Sequence, residues 1–153
     1  MADVVKITLE VISFRGIGDF SNPARFCEIK DPMIAEDLGK RAAQYPGDFR
    51  TIRLNNGNGG KPGAVALDLE VTVVGPGGAD LYSIAGVLIN NSGLDQTHAK
   101  GSNFDTNLPR KNVVTIKNKY KRGKEYWEFY LAIQDSTGRI GLIDPGVENS
   151  ELE

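Results

Sequence analysis

Three stretches of the chain alternate apolar and polar residues with a period of two. In the first, Val5, Ile7, Leu9 and Val11 share one face, with Lys6, Thr8 and Glu10 opposite. In the second, Val65, Leu67, Leu69, Val71 and Val73 stand against Ala66, Asp68, Glu70 and Thr72. In the third, Trp127, Phe129, Leu131 and Ile133 stand against Tyr126, Glu128, Tyr130 and Ala132. Successive side chains of a strand point to opposite faces, so this pattern specifies strands with one face in a core. It commits the chain to packed sheets.

Shorter runs at Phe49–Leu54, Val113–Tyr120 and Ile140–Ile143 read as further strands, and Leu81–Asn90 is apolar on both faces, as a central strand would be. The Gly75-Pro76-Gly77-Gly78 turn predicts an antiparallel hairpin between the strands on either side of it. One helix is expected after Asp31-Pro32, with Ile34, Leu38 and Ala42 as its apolar stripe and Pro46-Gly47 as its stop. With 18 glycines and 7 prolines in 153 residues, turns are frequent. About seven strands and one short helix then make a mainly β protein: a single antiparallel β-sandwich domain over residues 1–153, with a helix-plugged β-barrel as the alternative.

Reactive side chains are scarce. Cys27 and His98 are the only cysteine and histidine. No internal disulfide can form, and a Cys/His zinc site lacks ligands. A Cys27–His98 dyad stays open, but a lone thiol is more often a small buried hydrophobe. A serine triad would have to recruit His98, and no Gly-x-Ser-x-Gly elbow exists. The glycine-rich Asn55–Gly63 loop enters a strand where a phosphate-binding loop would open a helix. A hydrolase would have to draw on loop carboxylates such as Asp95, Asp105, Asp135, Asp144 and Glu148, with two of them roughly 5–9.5 Å apart across a cleft. The same oxygens are the sole basis for a calcium reading, and no EF-hand spacing is present. The expectation is therefore no enzyme, no metal and no cofactor.

Charge is segregated although the formal net charge is only −2. Residues 110–124 hold seven basic residues and no acidic one, and the remainder carries a net of −9. Such a dipolar molecule can dock on copies of itself or offer a basic face to an anion. Tyr126 and Tyr130 face outward from their strand, and Lys117, Lys119 and Arg122 lie on the segment expected to pair beside it. Aromatic faces stack on planar or sugar ligands, and cations bind anionic groups. The polar 90–109 loop adds Asn91, Asp95 and Asp105 to this candidate ligand-binding set. Arg122–Phe129 has the outline of an RNA-recognition strand. Lys124 replaces an expected stacking aromatic, however, and a loop stands where that fold needs a helix, so nucleic acid is disfavoured. No run of about 18 apolar residues crosses a membrane, and no secretory leader is visible at Met1–Lys6, so a cytoplasmic location is expected.

One family is suggested by the C-terminal third. Lys121-Arg122-Gly123-Lys124-Glu125-Tyr126, then Phe129-Tyr130-Leu131, Asp135, Gly138, Gly141 and Asp144-Pro145, resemble in order and spacing the ending of the PixA/AidA-type bacterial inclusion-body proteins. The likeness covers about 30 residues and departs at Leu142 and Ile143, where that family has aromatic residues. It implies a small β-sandwich that self-associates, accumulates in bacterial cells and performs no known chemistry. It transfers no site residues.

The function expected from these readings is a non-enzymatic, self-associating β-sandwich that recognises a ligand or partner through its loops and a Tyr/Lys face. A lectin-like module binding glycans and an anion or nucleic-acid binder using residues 110–124 are the alternatives.

Overall fold

The computed structural model describes residues 3–17, 26–30, 34–35, 41–45, 48–57, 60–63, 65, 67–90, 104–106, 111–118 and 125–150. Among them are twelve strands: β1 Asp3–Ser13, β2 Glu28–Ile29, β3 Ile34–Ala35, β4 Ala42–Tyr45, β5 Asp48–Asn55, β6 Leu67–Val74, β7 Ser83–Asn90, β8 Phe104–Thr106, β9 Val113–Asn118, β10 Glu125–Gln134, β11 Ile140–Ile143 and β12 Gly146–Ser150. All seven strands expected from alternation are present. The five additions are β2, β3, β4, β8 and β12.

The strands form two six-stranded sheets. Sheet 1 runs β2-β1-β6-β9-β8, with β3 also on β1; sheet 2 runs β11-β10-β12-β5-β4, with β7 on the other edge of β10. The sheets stay separate, so the fold is a sandwich and not the barrel alternative. The period-two rows meet between them: Val5, Ile7, Leu9, Leu67, Leu69, Val73 and Ile116 from sheet 1 oppose Ile52, Leu54, Trp127, Phe129, Leu131 and Ile133 from sheet 2, all buried. Burial of large aliphatic and aromatic side chains contributes about 1.5–3 kcal/mol each before the opposing chain entropy.

The sandwich is mixed, not purely antiparallel. β1 lies parallel to β6, from Asp3↔Leu67 to Glu10↔Val74, and β12 lies parallel to β5, from Gly146↔Thr51 to Ser150↔Asn55. The expected hairpin does not form. β6 pairs with β1 and β9, and β7 pairs with β10 in the other sheet. A 3-10 turn at Pro76–Gly78, with Gly77 and Gly78 at φ of 70° and 86°, starts the crossing between sheets. β7 is also not central, since among the described residues it pairs with β10 alone.

The expected helix is overturned at both described ends of its span. Ile34–Ala35 pairs with β1 (Thr8↔Ile34, Ile7↔Ala35), and Ala42–Tyr45 pairs with β5 (Ala42↔Leu54, Gln44↔Ile52). A four-residue spacing puts Ile34, Leu38 and Ala42 on one face of a helix, but also on one face of a strand. Open sheet edges supply ladder hydrogen bonds that a short glycine-containing helix cannot match. Residues 31–33, 36–40 and 46–47 of that span lie outside the described residues.

β11 and β12 follow one edge of β10 as an interrupted strand. Leu131–Gln134 pairs with β11 and Glu125–Glu128 with β12, while the Phe129 amide donates to the Pro145 carbonyl at 2.8 Å across the break. The break frees β12 to take β5 as its second neighbour. At the far end, Asn56 is fully buried: its amide nitrogen donates to the Val65 carbonyl and its side-chain oxygen accepts from the Ser150 amide, both at 3.0 Å.

Candidate functional site

Sheet 2 turns Trp127, Phe129, Leu131 and Ile133 inward, so strand alternation turns Tyr126, Glu128, Tyr130 and Ala132 outward. Next to them, Ala132 is in register with Gly86 of β7. Two small residues side by side leave a shallow floor, and longer side chains stand around it. The resulting groove holds about 480 Å³ and is lined by Phe26, Gly86, Val87, Tyr130, Ala132 and Leu142. Phe26, just before β2, lies over Tyr130 with ring centroids 6.1 Å apart and planes 28° apart, an offset stack. The Tyr130 hydroxyl donates to Glu128 Oε2 at 2.6 Å, which ties the polar tip of the ring to its own strand.

Toward β12 and β5 the same face becomes polar. The Tyr126 hydroxyl and Thr51 Oγ1 are 3.3 Å apart above Gly146, where a methyl would meet Thr51 Oγ1 at 2.7 Å and the Tyr126 hydroxyl at 2.8 Å. Tyr126 is in register with Glu148, and Glu148 with Arg53. The Glu148 carboxylate is 2% exposed and accepts from Arg53 Nε at 3.1 Å. Nearer the edge, Arg50 pairs with Asp144 at 3.0 Å.

Of the residues expected to form one Tyr/Lys face, Lys117 lies apart from Tyr126 and Tyr130. Tyr126 and Tyr130 lie on the outer face of sheet 2. Lys117 is exposed on β9 in sheet 1, in register with Asp105 of β8. The basic strand was expected beside β10, but adjacency in sequence does not set neighbours in a sandwich whose chain crosses between sheets. Asn91, Asp95, Lys119, Arg122 and His98 lie outside the described residues. The groove residues Phe26, Gly86, Val87, Ala132 and Leu142, and the polar pair Glu148 and Arg53, did not stand out in the sequence. Leu142 stood out only as a departure from the family ending it resembles, and Glu148 only among the loop carboxylates. Trp127 and Phe129, the aromatics of the RNA-recognition-like stretch, are buried and offer no stacking face.

Cys27 closes the seam between sheets. Its thiol accepts from the Arg15 amide at 3.1 Å and donates to the Arg15 carbonyl at 3.4 Å, while its own amide donates to the Leu142 carbonyl at 2.8 Å. Burial pushes the thiol's pKa up, against smaller opposing effects from these hydrogen bonds and the Arg15 charge. A thiol held in its neutral form is a structural group and a poor nucleophile. Among the described residues, no three His, Cys, Asp or Glu side chains gather as a metal site would need, and no helix is long and apolar enough to cross a membrane.

No protein-family model matches the chain, and no curated protein matches it by sequence. Among solved structures, the chain is similar to an inclusion body protein of the PixA type from Burkholderia cenocepacia, with a TM-score of 0.52 and 10% sequence identity, over 98% of this chain and 97% of that one. At that identity the two share a fold, along the whole length of both and not only at the C-terminal ending.

Proposed function

We propose that the protein is a non-catalytic recognition domain of the bacterial cytoplasm that associates with copies of itself and receives a ligand on the outer face of sheet 2. The observation that carries this reading is the Phe26–Tyr130 groove, an apolar concavity on the outer face of sheet 2. The fold shared with an inclusion body protein supports self-association. The neutral, doubly hydrogen-bonded Cys27 thiol supports the absence of nucleophilic chemistry at that residue. The lining favours an apolar ligand over a glycan, because sugars need several hydrogen-bonding partners and the Tyr130 hydroxyl is already engaged by Glu128. Sedimentation velocity over a wide concentration range tests the association: species larger than one chain should grow with concentration. A monomer at every concentration would overturn it.

A further inference from the structure

The groove's shape and lining also say what kind of ligand it fits. We propose that it binds an uncharged, planar aromatic molecule, laid over Gly86 and Ala132 and stacked against the Tyr130 ring. This rests on the reading of the sheet 2 face as the recognition surface, and deepens it by naming the ligand class.

A volume of about 480 Å³ falls within the range of small-molecule sites, roughly 300–1,000 Å³. Gly86 and Ala132 are in register on neighbouring strands, next to a bulge at Ala85, so the floor between them carries no side chain larger than a methyl. A Cβ placed on Gly86 would meet nothing within 4 Å, so the space above that backbone is open. Close approach to the backbone at a strand glycine is a recurring use of the residue, and a thin, planar ligand makes that approach best. The Phe26–Tyr130 stack makes an aromatic wall, which rewards a third ring by offset or edge-to-face contact beyond simple area burial. A flexible alkyl chain gains the area but not that term, and loses rotamer freedom on binding. Among the described residues that line the groove none is charged, so a carboxylate or phosphate seated there would lose hydration without gaining a partner from them. The Glu128 carboxylate that receives the Tyr130 hydroxyl further disfavours an anion at that end.

The test uses N-phenyl-1-naphthylamine, an uncharged aromatic fluorophore, titrated into the full chain. Saturable emission with one site per chain is expected. Gly86→Val should fill the floor without a clash and lower affinity at least tenfold, while its melting temperature stays near that of the parent. 2-Naphthol should displace the probe, and dodecanol should not. The inference is overturned by absence of saturable binding, by equal affinity in a folded Gly86→Val, or by dodecanol competing as well as 2-naphthol. If Gly86→Val does not fold, Ala132→Leu, on the neighbouring strand, takes its place with the same expected loss. Self-association is read by sedimentation and ligand class by fluorescence, so either can fail while the other stands.

Discussion

Glu148 and Arg53 face each other in register across β12 and β5, with the carboxylate 3.1 Å from Nε. Glu148 is almost fully buried, although it belongs to the outward row of sheet 2. A buried carboxylate must be paired, and removing one member of such a pair leaves a desolvated charge behind. Arg53→Met, which leaves the buried Glu148 carboxylate without its guanidinium, should therefore destabilise the fold by about 3 kcal/mol, read from the urea midpoint. The double substitution Glu148→Leu with Arg53→Met should cost less than the two single changes together. Additive costs would show that the pair is not energetically coupled.

Gly141 marks a close approach of three segments. A methyl there would lie 2.6 Å from the Arg15 carbonyl oxygen, 2.7 Å from Cys27 Sγ and 3.0 Å from the Phe14 ring. Two of those neighbours belong to backbone or to a hydrogen-bonded thiol and cannot swing aside. Gly141→Ala should cost about 1–3 kcal/mol by overpacking, with a matching fall in melting temperature. A variant as stable as the parent would mean that the seam between β1 and β11 is looser than its geometry.

Cys27 makes stability sensitive to alkali. The folded thiol keeps its proton to higher pH than the unfolded one, whose pKa is near 9.0, so the folded state binds more protons above that value. This contribution is fully present below pH 9.0 and is lost as pH rises through the window above it. Cys27→Ala should flatten the alkaline limb of the stability profile. Iodoacetamide should label the native thiol much more slowly than the urea-unfolded one, and equal rates would contradict its burial.

Asp135 acts at the other end of the pH scale. Oδ1 accepts from the Thr137 amide and hydroxyl and from the Arg139 amide, while Oδ2 accepts from Arg139 Nε. The Thr137 hydroxyl bond leads in holding the carboxyl at a pKa of about 2, against an ordinary 3.8. A depressed carboxylate contributes stability above its unfolded pKa and loses it as pH falls through the folded one. Asp135→Asn should be less stable than the parent at neutral pH, with the gap closing as pH drops from 3.8 toward 2. A gap that persists in acid would assign the turn's stability to something other than this carboxylate.

Strand existence was legible because period two is a local property. Val5–Val11, Val65–Val73 and Trp127–Ile133 announce their buried faces from sequence alone. Pairing is not local. Alternation says which side of β6 is buried but not that its neighbours are β1 and β9, so the hairpin with β7 was a plausible and wrong partnership. The helix misreading has the same root, since residues four apart share a face in either period. β12 was hidden because Glu148 and Ser150 are polar and buried; Arg53 Nε donates to the carboxylate, and the Ser150 hydroxyl donates to the Leu54 carbonyl. The groove was illegible for the opposite reason. It is built from side chains that are missing, at Gly86 and Ala132, and a small residue carries no sign of what it makes room for.

The position of β12 bears on how the molecule is born. The strand lies between β10 and β5, both made before it, so no ribosome can complete sheet 2 until β12 has cleared the exit tunnel. Up to then Ile52, Leu54 and Trp127 lack the neighbour that zips their strands together. Half-built chains emerging side by side from one message would meet each other with those edges open. Encounters between copies can thus begin during synthesis, before any finished surface exists.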